Sequence, residues 1–166
     1  LTLGLELPYV TKSVEIESSS ASDTLRADGI GDAQLLFLVP FMQKGEEKTH
    51  VHFGFGIPTG SIREMDRQGN RLPYALQPGS GSWDALWGLT YVGRHQGLSW
   101  GSQFEGIYRV ADNDVGYRKG TVYHASAWCA GSWSEWVSTS LRLGWTRTGN
   151  VRGEDPSLDK TLSPLN

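Results

Sequence analysis

From Val51 to Ile57 every second residue is apolar (Val51, Phe53, Phe55, Ile57), and His52, Gly54 and Gly56 stand between them. A period of two places alternate side chains on opposite faces of a β-strand, one apolar and one polar. The same period recurs in about seven segments of roughly ten residues each. That is longer than the usual strand and close to what a tilted strand needs to cross a bilayer. The predicted strands are Leu1–Val10, Asp32–Phe41, His50–Pro58, Trp83–Gly93, Leu98–Val110, Thr121–Ala130 and Trp136–Thr148.

The apolar face reads Leu1, Leu3, Leu5, Leu7 and Tyr9 in the first strand, and Ala33, Leu35, Phe37, Val39 and Phe41 in the second. It continues through Trp83, Ala85, Trp87, Leu89 and Tyr91, then Leu98, Trp100, Phe104 and Tyr108, and finally Val137, Thr139, Leu141, Leu143 and Trp145. The sixth strand has the weakest alternation, so its two faces are interchangeable on pattern alone. Leu36 and Leu38 interrupt the polar face and call for a plug, a packed interior or an apolar path.

Connection length adds a second signal. Ser13–Asp28 (with Ser18, Ser19 and Ser20 in a row), Thr59–Ser82, Ala111–Gly120 and the stretch after Thr148 are long and polar. Gln43–Lys48, Arg94–Gly97 and Gly131–Glu135 are short. Strict alternation of long and short connections is the habit of outer-membrane barrels, with short periplasmic turns and longer external loops. The expected class is therefore all-β, an antiparallel up-and-down transmembrane β-barrel forming a single domain over residues 1–166. Backbone groups in hydrocarbon have no water to bond, so such a sheet must close. The chain begins within a strand pattern at Leu1, without an initiator Met or charged leader, and ends at Asn166 in a loop-like stretch. An odd strand count also departs from the even number usual in bacterial barrels. The expectation is a piece of a longer barrel, lacking a leader and further strands.

Composition sharpens this picture. Mean hydropathy lies on the polar side of neutral, which for a barrel reflects the polar lumen residues on every strand. No run of eighteen apolar residues occurs, which excludes a transmembrane helix. A net charge of −3 lacks the basic footprint of a nucleic-acid binder. The chain has seven Trp, six Tyr and five Phe. Tyr9, Trp83, Trp100, Tyr108, Tyr123, Trp133, Trp136 and Trp145 fall near predicted strand ends, either as girdles at the two water–lipid boundaries or as the core of a β-sandwich.

Four segments carry a family resemblance: GIGDAQLLF (Gly29–Phe37), FGFGIPTGS (Phe53–Ser61), LQPGSGSWDALWGLTYVG (Leu76–Gly93) and GYRKG (Gly116–Gly120). In sequence and order they resemble the outer-membrane transporter family of the MetA-pathway of phenol degradation, over about Leu1 to Gly149. The resemblance implies a bacterial outer-membrane barrel that passes small, often hydrophobic or aromatic, molecules. It does not imply an enzyme.

The expected lumen face offers His50, His52, Asp84, Thr90, Gln103, Glu105, Arg109, Ser138, Ser140 and Arg142 as pore-lining residues. Charges of both signs there either shape a local field for polar solutes or pair across strands as wall. His50 and His52 share a face and could hold a metal only with a third ligand such as Glu105 or Asp84; chance pairing explains them more simply. Asp32 and Asp84, where long loops enter strands, suit carboxylates that accept loop N–H groups, or charges at a pore mouth. A triad of Ser80, Asp84 and His95 fails on distance, because roughly 3.3 Å per residue along one strand separates Asp84 from His95 by some thirty ångströms. No cofactor motif is present, and Cys129 reads as a small hydrophobe within a strand. The expected partners are outer-membrane lipid and a small-molecule solute. The alternatives are a soluble, lipocalin-like barrel binding a hydrophobic ligand and an adhesive barrel acting through its loops.

Overall fold

The structure is a computed structural model that describes residues 1–18, 21–156 and 158, without the side chains of 16–18 and 21–23. Ser19 and Ser20 of the serine run, and the C-terminal stretch to Asn166, lie outside the described residues. The protein is all-β and antiparallel. Its strands are β1 (Thr2–Glu6), β2 (Tyr9–Ser18), β3 (Ala21–Ile30), β4 (Ala33–Lys44), β5 (Glu47–Ile57), β6 (Asp84–His95), β7 (Leu98–Arg109), β8 (Tyr117–Arg118), β9 (Val122–Ser132), β10 (Ser138–Thr148) and β11 (Arg152–Gly153).

Seven of them form one sheet in the order β1-β4-β5-β6-β7-β9-β10. These are the seven strands that period two predicts, each beside its neighbour in that series. β1 and β10 are the sheet's two edges and do not pair with each other, so no closed barrel forms among the described residues. The sheet nevertheless curls: residues of β1, β4, β5, β6, β7 and β9 line one shared hollow.

Register confirms the division of faces. Leu3↔Phe37↔Phe53↔Trp87 runs across one face, and Val51↔Leu89↔Phe104↔Ala125↔Trp145 follows one step along. In β9 the apolar face carries Tyr123, Ala125, Ala127 and Cys129, which settles the ambiguous sixth strand. This face is convex and uncovered: Phe53 is 45%, Phe55 52%, Leu89 49% and Leu141 60% exposed. Trp87, Phe104 and Tyr123 pack edge-on or stacked upon it, towards the cap end. Trp83 and Tyr108 mark its long-connection end, and Trp100 and Trp133 its short-turn end. Trp145 lies opposite Ala125 within the band rather than at a boundary.

Two expectations need correction. The first predicted strand is divided, because Pro8 has no N–H to give a ladder and the chain re-pairs beyond it. Ser13–Asp28 is not a loop: β2 and β3 form a hairpin in register from Tyr9↔Ile30 to Ser18↔Ala21. The hairpin prolongs the β1–β4 pair, with the Gly31 N–H donating to Pro8 O at 2.8 Å. A bulge at Phe41 shifts the β4–β5 register between Pro40 and Met42.

The buried core lies at the end of the sheet where the long connections leave it. Among the described residues, the largest fully buried side chains are Tyr117, Leu72, Leu76, Gln77 and Pro73, all in connections or the short β8. Leu72 and Leu76 pack with Ala27, flanked by Val14 and Leu25 of the hairpin. Tyr74 lies against Tyr117 with ring centroids 4.2 Å apart. Hairpin, Thr59–Ser82 insertion, β7–β9 connection and the segment after β10 thus fold into one cap.

Candidate functional site: the concave face and its cap

Ladder partners share a face, so the register places the ten candidate residues together on the concave side. They lie at successive levels along it. Nearest the cap, Asp84 faces Arg109, with Oδ1 3.3 Å from Nε. One level down, Leu36, Leu86, Ile107 and Val122 form an apolar belt. Below it His52, Glu105 and His124 share a level, followed by His50, Thr90, Gln103 and Ser126.

A cavity of about 470 Å³ spans these levels. Leu36, Leu38, Leu86, Ile107 and Val122 supply its apolar wall; His52, Thr90, Gln103, Glu105 and His124 supply its polar wall, joined on the β1–β4 side by Thr2, Glu6 and Gln34. Glu105 Oε1 accepts from Gln103 Nε2 at 2.5 Å and lies 3.3 Å from His52 Nε2. His124 Nδ1 is 2.9 Å from Thr146 Oγ1. Gly88 makes the His52–Glu105 approach available, since a Cβ there would lie 2.3 Å from the His52 ring. Leu36 and Leu38, the exceptions of the sequence pattern, therefore belong to the cavity wall.

The remaining candidates are not gathered into this cavity. Ser138, Ser140 and Arg142 lie on the edge strand β10, and Arg142 stacks on Trp128 with its Cζ 4.9 Å from the ring centroid. His50 shares the concave face opposite Thr90, without lining the cavity. Among the described residues no three His, Cys, Asp or Glu side chains gather as a metal site. Asp84 and His95 are the two ends of β6, so the serine triad does not assemble.

Above the Asp84–Arg109 pair the cap closes tightly. Asp32 accepts the Gly60 N–H at 3.0 Å and the Ser80 N–H at 2.6 Å, the loop-holding role its position suggests. Asp84 does otherwise, pairing with Arg109 and approaching the Ser82 hydroxyl at 3.5 Å. Gln77 knits the insertion: its amide donates to Leu72 O and Glu64 O and accepts from Glu64 N–H. Lys12 and Lys119 both donate to Gln77 O at 2.9 Å. Burial pushes the Lys119 ammonium down to about 7, with Lys12 and Arg109 adding to the effect against Asp32 and Asp84. Burial also lowers Lys12. Asn113, buried in the β7–β9 connection, donates its side-chain N–H to Ser80 O at 3.1 Å. Gln77, Asn113, Lys119 and His124 were not singled out by sequence reasoning; for His124, the alternation with Ser126 was the available signal.

No family model matches the chain, and no curated protein matches it.

Proposed function

We propose that this chain forms part of a bacterial outer-membrane β-barrel through which small solutes pass down their gradients. The observation that carries the reading is the exposed apolar face of the seven-stranded sheet, set back to back with a concave face that holds the charged and hydroxyl side chains around an apolar belt. From Ala85 to Gly93 the apolar face of β6 covers nine residues, within the roughly nine to eleven that a tilted strand needs to cross a bilayer. A soluble ligand-binding barrel would turn Phe53, Phe55, Leu89 and Leu141 inward, whereas here they face outward. The reading requires that β1 and β10 be paired in the membrane by strands outside these seven, because free edges are not tolerated in lipid. The family resemblance supports the same function, and the lumen wall of leucine, isoleucine and valine beside Glu6, Glu105 and two histidines suits small molecules with apolar bodies.

The test is made on the full-length protein. It is expected to require detergent, to show heat-modifiable gel mobility and to make lipid vesicles permeable to small neutral solutes. Leu36→Trp and Ile107→Trp, which fill the lumen, should slow that flux. Solubility without detergent, or vesicles no leakier than protein-free ones, would overturn the proposal.

A further inference from the structure

A second cavity, of about 710 Å³, lies beside β10 at the cap end of the sheet. Its charged lining is entirely basic: Arg109, Arg118, Lys119, Arg147 and Arg152. Three of these are engaged. Arg109 faces Asp84, Arg118 lies 3.2 Å from Asp112, and Lys119 donates to cap carbonyls. Arg147 and Arg152 are exposed and have no carboxylate partner among the described residues. Two tyrosines complete the wall. Tyr108 and Tyr123 project from the apolar face of β7 and β9, and Arg147 is Tyr123's ladder partner. The cations therefore collect at the depth where the exposed apolar band ends and the polar cap begins.

We propose that this cavity binds the phosphate of an anionic lipid headgroup in the leaflet on the cap side, an assignment that rests on the membrane reading above. Guanidinium groups offer planar forks that match phosphate oxygens. A soluble phosphate ester would satisfy the same charges. The tyrosines distinguish the sources, because they tie the basic wall to the lipid-facing surface, where an acyl chain would descend along the sheet. Basic clusters at a membrane boundary attract anionic lipids with about 1 kcal/mol for each Lys or Arg.

The test is native mass spectrometry of the full-length protein released from non-ionic detergent containing equal phosphatidylglycerol and phosphatidylcholine. Wild type should retain phosphatidylglycerol in preference. Arg147→Gln with Arg152→Gln should cut that retention by about twenty-five-fold, the product of about fivefold per charge. Arg147→Lys with Arg152→Lys should keep most of it, and both double variants should keep heat-modifiable mobility. Equal retention of the two lipids, or no loss in the glutamine variant, overturns the assignment. Displacement of the lipid by millimolar inorganic phosphate marks a soluble-anion site and also overturns it. A protein that needs no detergent sinks the membrane reading together with this one; a detergent-requiring protein without lipid preference sinks this one alone.

Discussion

Asp32 ties three stretches of chain that are far apart in sequence. One carboxylate accepts backbone N–H groups from Gly60 and Ser80, and Gly31 O accepts the Thr59 hydroxyl beside it. At this junction Gly60 and Gly79 touch backbone to backbone: a Cβ on Gly79 would lie 2.3 Å from Gly60 O. Because the obstacle is backbone, no side-chain rotation relieves it. Asp32→Ala leaves two N–H groups without their charged acceptor and should destabilise the cap by about 3 kcal/mol. Gly79→Ala should open the same junction. Both effects are read as faster hydrogen exchange at Gly60 and Ser80 with unchanged protection in β6 and β7. Asp32 was legible because a lone carboxylate entering a strand after GIG has few other uses. Asp84 occupied the same kind of position, but its partner Arg109 lies twenty-five residues away, and nothing in local spacing reveals a cross-strand pair.

The sheet strands were legible because their two faces differ, and period two records that difference. The β2–β3 hairpin was not, because it stands beyond the apolar band and carries no continuous apolar face of its own. Its burial comes from Val14, Leu25 and Ala27 meeting Leu72 and Leu76 across the cap, a contact between segments each too polar to signal alone. The cap's charge balance gives this element its own pH dependence. Lys119 holds its proton only to about pH 7 in the folded cap, against 10.5 for an ordinary lysine. Between those values the unfolded cap binds more protons, so cap stability rises with pH across that window and is flat below it. Lys12, also lowered, adds to the upper part of the rise. Hydrogen exchange at Gly79 and Ser80, corrected for intrinsic rate, should slow from about pH 7 to about pH 9 as the buried charge is lost. In Lys119→Met most of that slowing should vanish. An unchanged pH profile in the variant would show that Lys119 is not the group responsible.

At the scale of the whole molecule, two kinds of interior compete. The cap is held by a buried core that would serve in water. The sheet buries few large side chains and exposes its aromatic and aliphatic ones on the convex side, so its stability has to come from whatever covers that face. Leu89 separates the two cases, since it lies midway along the β6 apolar band, flanked by Val51 and Phe104 on the adjacent strands. If lipid covers it, Leu89→Arg places a charge near the bilayer midplane and should cost about 2–4 kcal/mol in folding into phosphatidylcholine vesicles. If water covers it, the same substitution at a half-exposed position should change stability by less than about 0.5 kcal/mol. Arg142 provides the internal control, because it already sits on the concave face of β10, where under the proposed reading a charge would meet the lumen rather than lipid. Arg142→Leu should leave vesicle folding nearly unchanged. A large cost at Leu89 beside a small change at Arg142 is the asymmetry that a sheet with a lipid side and a water side must give, and equal effects at the two positions would deny it.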